Sequence, residues 1–456
     1  MFSTTDTIAA IATAAGRGGI GTVRISGPDA QAVGGAVLDR PSPLAPRHAT
    51  FARLRLGDGR ASVGDHVVAT FFPAPHSFTT EDTVEISAHG SPVVLAAIVA
   101  ACVRHGARLA APGEFTFRAY VHGRIELTQA EAVADLVEAV TPLQARTAFD
   151  QLEGSLATAI CGLSETLLDL TARLEASLDF PDEGYHFIDP DEIRMAVGRL
   201  RAEVRDLLAR AGEGRVIREG CRIVIAGPVN AGKSSLFNRL AGLDRAIVSA
   251  TPGTTRDLLV EAVDLAGVPV TLVDTAGLRE TDNEVEAEGV RRAERATEGA
   301  AVSLLVLDGS EPLLPEHRDL LGRTEHRPRL VVANKADLSQ AWTVSNAGVE
   351  DVCRISARTG EGLDQLRRAI GAALGREDAE AELPRVTNVR HAALLAQVGA
   401  ALENVLNDLS DLSYAPPEEV IVQGLTSVRA LLEEISGART PEDVLEHIFE
   451  RFCIGK

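Results

Sequence analysis

The stretch Gly227-Pro228-Val229-Asn230-Ala231-Gly232-Lys233-Ser234 has the spacing G-x-x-x-x-G-K-[ST]. Glycines let such a loop curl until its N–H groups face phosphate oxygens. Lys233 supplies a point charge to the β and γ phosphates, and the Ser234 hydroxyl is a ligand for Mg²⁺. Asn230, Ala231 and Gly232 form the cradle, and Ser235 opens a helix whose N-terminal dipole favours anions. A chance match in a glycine-rich turn is the bland alternative. The apolar run Arg222–Ala226 before the loop and the helical pattern after it, ended by Gly242, argue for a nucleoside triphosphate site.

Three further stretches narrow the nucleotide. Asp274-Thr275-Ala276-Gly277 follows a β-type run, where an Asp reaches Mg²⁺ through water and the Gly277 N–H meets the γ-phosphate. Asn334-Lys335-Ala336-Asp337 follows another. The Asp337 carboxylate can accept from guanine N1–H and the N2 amine, which adenine does not offer, while Lys335 lies over the base plane. Ser356-Ala357-Arg358 comes after the next β-type run, with backbone N–H groups for guanine O6. Alone, N-K-x-D is a common surface turn; three such elements in order at strand ends select GTP over ATP.

Between them lies Gly253-Thr254-Thr255-Arg256-Asp257, where Thr255 is the residue expected to complete Mg²⁺ coordination. Loops of this kind order on the γ-phosphate and relax after hydrolysis. Leu278 stands where Ras-like proteins carry a water-orienting glutamine, and leucine cannot hydrogen-bond. The nearby Glu280, Asp282, Glu284, Glu286 and Glu288 read most simply as a solvated acidic face. In place of an arginine finger, the Asn230 carbonyl can hold a monovalent cation against the phosphates.

These residues need elements to position them. At 456 residues the chain has room for about three domains. The net charge of −20 disfavours non-specific nucleic-acid binding. Five scattered cysteines without a C-x-x-C pair fit a reducing compartment and argue against disulfides and structural zinc. No signal-like N-terminus and no bilayer-length apolar run are present, so a cytoplasmic protein without a membrane span is expected.

Residues 1–119 read as an α/β domain, with strands near 6–14, 21–25, 67–72 and 83–88 and a helix over 92–105. Gly16-Arg17-Gly18-Gly19 is a plain connection. Residues 120–215 read as helical: one helix entered through a capping box at Thr128 and Glu131 and running toward Leu152, a second marked by Leu156 to Leu174, and a third over 190–210. Ala211-Gly212-Glu213-Gly214 reads as a linker. Residues 216–375 alternate strand (222–226, 269–273, 302–308, 329–333, 352–355) and helix, the signature of a doubly wound parallel sheet. Residues 376–456 return to helix, the last capped by Thr440 and Asp443. The two helical segments are expected to pack as one domain with the α/β domain inserted between them.

Together with Gly16–Gly21, Arg24-Ile25-Ser26-Gly27, Pro112-Gly113-Glu114-Phe115-Thr116, Leu127-Thr128-Gln129-Ala130-Glu131-Ala132 and the terminal Phe449–Lys456, these motifs resemble the MnmE (TrmE) family of tRNA-modification GTPases over nearly the whole length. The resemblance implies an N-terminal α/β domain that dimerises and binds a folate donor, a discontinuous all-α domain, and an inserted Ras-like P-loop G domain. It implies that K⁺ pairs two G domains, held by Asn230 and Thr254 and by main-chain carbonyls of Ser249 and Thr251. It makes Glu286 the residue that positions the attacking water. It also implies an FAD-dependent partner, MnmG, with which the family modifies carbon 5 of the tRNA wobble uridine.

By the same resemblance Arg24, Glu85, Arg124 and Lys456 belong to the site of a 5-formyl- or methylene-tetrahydrofolate donor; without it they read as charged surface. Cys453 is a modification residue in the family and otherwise a small hydrophobe near a chain end. Thr80 and Ser91 replace glycines usual in the family, and Arg124 stands where lysine is usual, with a different donor geometry. Two other readings remain in view: an interaction switch for ribosome assembly, which requires neither the Cys453–Lys456 tail nor the N-terminal domain, and a dynamin-like scaffold, for which lipid-binding patches are not evident.

Overall fold

The computed structural model describes residues 4–56, 63–179, 189–243, 259–274, 299–326, 328–342, 352–375, 384–410 and 417–456. Two compact units divide the chain. One comprises Met1–Ala134, Gln151–Glu165 and Arg429–Lys456, the other Asp135–Asp150 and Thr166–Val428.

The first unit is built on a sheet of β1 (Ile8–Ile11), β2 (Gly18–Ser26), β3 (Thr50–Leu56), β4 (Val63–Phe72), β5 (Thr83–Gly90) and β6 (Arg108–Leu109), in the order β3-β4-β5-β2-β1-β6. Alternation decides what it buries: Val84, Ile86 and Ala88 of β5 and Val23 and Ile25 of β2 face one core with Leu95, Ile98 and Cys102 of the Pro92–Arg104 helix. β1 is covered on both faces, since Ala9 joins that core while Ile8 and Ala10 pack with Phe115 and Ala110. Phe117, Leu127, Val133, Phe449 and Phe452 form a further cluster, in which Phe117 meets Phe449 edge-on at 5.2 Å between centroids. The short helix Ala30–Ala36, strands β3 and β6 and the helix Glu114–Val121 were not expected from the sequence pattern.

The second unit carries the sheet β7 (Cys221–Ala226), β8 (Leu259–Leu265), β9 (Val268–Asp274), β10 (Val302–Asp308), β11 (Arg329–Asn334) and β12 (Val352–Arg354), ordered β12-β11-β10-β7-β9-β8. All neighbours are parallel except β8, which pairs antiparallel with β9. Apolar clusters cover both faces, one with Leu236, Leu240, Leu366 and Ile370 and one with Leu321 and Trp342. That is why β7 and β10 read as unbroken apolar runs. The doubly wound sheet is as expected; β8 was missed. It returns into β9 through Ala266 and Gly267, at φ 56° and 86°, the geometry of a two-residue hairpin turn.

The helical segments depart from expectation in four places. The helix begins at Leu127, whose side chain is fully buried, and Gln129 rather than Thr128 serves its start by accepting the Glu126 N–H at 3.0 Å. It does not run to Leu152 but stops at Glu138. A new helix opens at Pro142 with a reciprocal cap, the Thr141 hydroxyl accepting from Gln144 N (3.2 Å) and Gln144 Oε1 from Thr141 N (3.2 Å). Residues 211–214 are no linker; they begin the helix Ala211–Glu219, and Gly214 is there because a Cβ would sit 2.3 Å from the Val386 carbonyl. Thr440 does not cap the last helix, Glu442–Glu450; its hydroxyl turns back to the Glu434 carbonyl at 3.0 Å. Within the second unit the helices Pro190–Ala209 and Val389–Ser410 are tied by the Arg201–Glu403 ion pair and by Arg194 donating to the Leu409 carbonyl (2.7 Å).

Candidate functional site

The nucleotide motifs sit at one edge of the second unit's sheet because each follows the carboxyl end of a parallel strand. Ile223, Val224 and Ile225 are fully buried in β7 and fix its end rigidly. The chain leaves it at Gly227 and enters the helix Lys233–Leu243. Between them Asn230 is exposed, with φ 64°, a left-handed conformation that asparagine tolerates better than most. At Gly232 a Cβ would meet Asn334 Nδ2 at 2.2 Å, so the close approach of Asn334 to the phosphate loop needs a glycine there.

Lys233 is 8% exposed, and its ammonium donates to the Pro228 carbonyl at 2.7 Å. Burial holds it below the ordinary lysine value, with the Asp274 charge pulling the other way. Asp274 ends β9 in full burial, and its Oδ2 accepts from the Ser234 hydroxyl at 2.9 Å. This set of hard oxygen donors, exposed Ser234 beside buried Asp274, fits Mg²⁺. Ser235 is exposed in the first turn of the helix, and Ala231 is buried.

Asn334 is the joint of the pocket. Its Nδ2 donates to the Ala231 carbonyl (2.9 Å) and its Oδ1 accepts from Ala357 N (3.0 Å), so one buried amide ties β11 to the phosphate loop and to the loop after β12. Asp337 Oδ1 accepts from the Ser356 hydroxyl at 2.6 Å, which holds its carboxyl below the ordinary value, and Arg358 reaches within 3.9 Å of Oδ2. The Lys335 ammonium lies 2.5 Å from Asp308 at the end of β10. Ten expected residues are thereby gathered on this edge: Asn230 to Ser235, Asp274, Asn334, Lys335 and Asp337. Ser356, Ala357 and Arg358 join them from the loop after β12. The expectations for Ser249, Thr251, Gly253, Thr254, Thr255, Gly277, Leu278 and Glu286 lie outside the described residues.

A second constellation lies in the first unit. Arg24 on β2 bonds Glu85 on β5 through Nε and Nη2 (2.9 and 2.8 Å), the two being cross-strand partners. Its guanidinium stands 5.7 Å from the Phe78 ring centroid and 5.6 Å from that of Phe115. The tail closes this site. Ile454 bridges Pro112, Phe115 N donates to the Lys456 carbonyl (3.2 Å), and Arg24 Nη1 reaches the Gly455 carbonyl (3.5 Å). Cys453 is exposed. Arg124 is exposed too, and among the described residues it shares no hydrogen bond with Arg24 or Glu85. Arg24 thus stands paired with Glu85, flanked by two aromatic rings and by the terminal residues of the chain.

Beneath this pocket is a network that motif reading missed. Arg118, fully buried, donates to Asp6 Oδ1 (2.7 Å), Glu81 Oε1 (3.0 Å) and Glu114 Oε1 (3.1 Å), and Arg108 bonds Asp6 and Glu114 as well. The available signal was the charge inside Pro112–Arg118 and Ser77–Asp82, the stretches that contain Phe115 and Phe78. Asp308 was also missed; it ends an apolar strand in Asp-Gly-Ser.

A family model described as the GTP-binding protein TrmE N-terminus matches residues 7–124, and one described as the MnmE helical domain matches residues 127–453. The chain is 43% identical to the tRNA modification GTPase MnmE of Koribacter versatilis (strain Ellin345), over 99% of both chains. It is 42% identical to that of Laribacter hongkongensis (strain HLHK9), over 99% of both, and 41% identical to that of Pseudomonas entomophila (strain L48), over 100% of both. With both units matched and relatives aligned end to end, this chain belongs to the MnmE family of tRNA modification GTPases.

Proposed function

We propose that the chain hydrolyses GTP and that this turnover drives modification of carbon 5 of the wobble uridine, U34, in certain tRNAs. The observation that carries the reading is the Asn334 amide, which makes a single pocket of a phosphate loop and a guanine loop. Asp337 pairs with guanine N1–H and the N2 amine, Lys335 covers the base plane, and Ser356, Ala357 and Arg358 close the O6 side. Lys233 meets the β and γ phosphates, and Ser234 and Thr255 would hold Mg²⁺, with Asp274 reaching it through water. When bound, that ion would neutralise phosphate charge. The Gly277 N–H meets the γ-phosphate, and Gly253 belongs to the GTP site. Asn230, Ser249, Thr251 and Thr254 hold K⁺ as two G domains pair, and Glu286 orients the attacking water, which Leu278 cannot do.

In the first unit, Arg24, Glu85, Arg124 and Lys456 hold 5-formyl- or methylene-tetrahydrofolate as the one-carbon donor. The Arg24–Glu85 pair between two phenyl rings supports this assignment. The chain works in the cytoplasm as a homodimer, with the FAD-dependent partner MnmG, to add aminomethyl or carboxymethylaminomethyl groups. Cys453 acts in that step. Its functional segments are 1–119 for folate and dimerisation, 216–375 for GTP, and 120–215 with 376–456 as the helical domain that carries the signal.

Mass analysis of wobble uridines from cells lacking the protein tests this reading: unmodified carbon 5 is expected, and intact modification overturns it. Hydrolysis is expected to run much faster in K⁺ than in Na⁺, with Asn230→Ala erasing the difference; equal rates in the native protein remove the cation from the mechanism. Asp337→Asn is expected to shift preference from GTP to XTP, and retained GTP selectivity refutes the guanine assignment.

A further inference from the structure

The end of β10 places a charged group beside the guanine loop that no nucleotide motif includes. β10 and β11 are parallel with Asp308 opposite Asn334, so Asp308 reaches the residue that follows the neighbouring strand, Lys335. Its Oδ2 stands 2.5 Å from Lys335 Nζ, and its Oδ1 accepts from Ser310 N (2.9 Å) and Ser310 Oγ (2.6 Å). The carboxylate is largely shielded, with 10% of its side chain exposed against 34% for Lys335. Burial pushes the Asp308 carboxyl up, and the bonds from Lys335 and Ser310 outweigh this and hold it below the ordinary value.

The backbones of the two loops are interlaced around this pair. Gly309 N donates to the Asn334 carbonyl (2.8 Å), Ala341 N to the Gly309 carbonyl (2.8 Å), and Gln340 Nε2 to the Lys335 carbonyl (3.1 Å). A Cβ at position 309 would meet Gln340 Oε1 at 2.3 Å and the Asn334 carbonyl at 2.8 Å, so this close approach needs a glycine. The single tryptophan of the chain, Trp342, is buried against the same strand and donates Nε1–H to the Asp308 carbonyl at 2.8 Å. Lys335 itself has φ 66°, a left-handed conformation that a lysine keeps only where its surroundings impose it.

A lysine that covers a base must give up the freedom of a four-carbon stem. One already anchored by a carboxylate has given it up before the ligand arrives. We propose that Asp308 is a positioning residue of the guanine site, anchoring the Lys335 ammonium so that the lysine stem stands ready beside the base plane. Asp308 touches no substrate and acts through Lys335. The proposal rests on reading Asn334–Asp337 as the guanine loop.

The test uses the full chain, with GDP and ADP binding by calorimetry and GTP turnover at saturation. Asp308→Asn keeps the shape and removes the charge, and leaves the carbonyl that Trp342 bonds. It is expected to weaken GDP about tenfold while changing kcat at saturating GTP by less than about twofold. Lys335→Gln is expected to weaken GDP as well, and Asp308→Asn added to it to cost nothing more. A purely structural role predicts instead the same loss in both backgrounds, together with altered Trp342 emission. The proposal is overturned if Asp308→Asn binds GDP like the native chain, or weakens it equally with and without Lys335. If the native chain does not prefer GDP to ADP, the guanine reading falls and this proposal with it. If that preference holds and Asp308→Asn keeps native affinity, the positioning role alone falls.

Discussion

The nucleotide pocket and the Arg24 pocket are assembled by opposite means. The first is made of strand ends: each motif spans three to eight consecutive residues and inherits its position from the parallel sheet behind it. Its charges stand at separate strand ends, and one neutral amide, Asn334, joins the parts. The second is made of residues scattered from Arg24 to Gly455, and what holds it is ionic, two guanidiniums threaded among three carboxylates. A pocket for phosphates can be built from backbone N–H groups, which any well-curled loop provides. A pocket built from an arginine, a glutamate and two rings needs side chains brought in from separate segments, and the buried network pins those segments together.

On that contrast, the largest effect of a single change is expected in the first unit. Arg118→Leu leaves Asp6, Glu81 and Glu114 facing an apolar stub, and breaking a buried ionic group in this way costs about 3–5 kcal/mol. Thermal unfolding of the first unit is expected at markedly lower temperature, with GTP turnover intact below it. Unchanged melting would show that the segments are pinned by packing alone. In the nucleotide pocket, Asn334→Ala strands the buried Ala357 N–H and the Ala231 carbonyl at about 1–3 kcal/mol. GDP titration is expected to read this as roughly a ten- to hundredfold weakening; native affinity would mean that the motifs are placed independently.

Acid separates the networks more gently. The Asp6 carboxyl is held below its ordinary value, first by Arg108 and also by Arg118, against an opposing push from burial. A depressed folded value gives stability that is present above the unfolded value of about 3.9 and is lost as pH falls through the folded one. The first unit is therefore expected to lose stability below about pH 4. Asp6→Asn should flatten that dependence in acid titrations followed by circular dichroism. Asp65, depressed in the same direction by its bonds to His89 and His66 despite burial, keeps part of it. The smallest effect is at the tail. The Arg24–Gly455 bond is long, 3.5 Å, and worth at most about 1 kcal/mol. Arg24→Ala is expected to let a carboxypeptidase remove Ile454–Lys456 modestly faster, and an unchanged rate would mean that Ile454 and Phe115 hold the tail without it.

How much could be read in advance follows the same division. Gly227–Ser234, Asp274, Asn334–Asp337 and Ser356 were each singled out from spacing, because each motif is itself a run of neighbours in the chain. The parallel strands were found from apolar runs buried on both faces. Strand β8 escaped because its pairing with β9 depends on a turn at Ala266-Gly267 that carries no strong sequence signal. The capping box was placed at Thr128, although the Thr-Pro-Leu-Gln run at 141–144 holds the reciprocal bonds; the identical spacing of the two left only burial to decide, and Leu127 is buried.

By itself the sequence marked out the phosphate-loop and N-K-x-D motifs, and determined the doubly wound sheet behind them and the resemblance that names the family. The tertiary structure alone decided that Asn334 joins the two loops, that Asp308 holds Lys335, and that Arg118 binds three carboxylates under the Arg24 site. Backbone motifs are local, so their information lies along the chain. Buried polar partners are chosen by whichever segments folding brings within 3 Å of one another, and no spacing in the sequence records that distance.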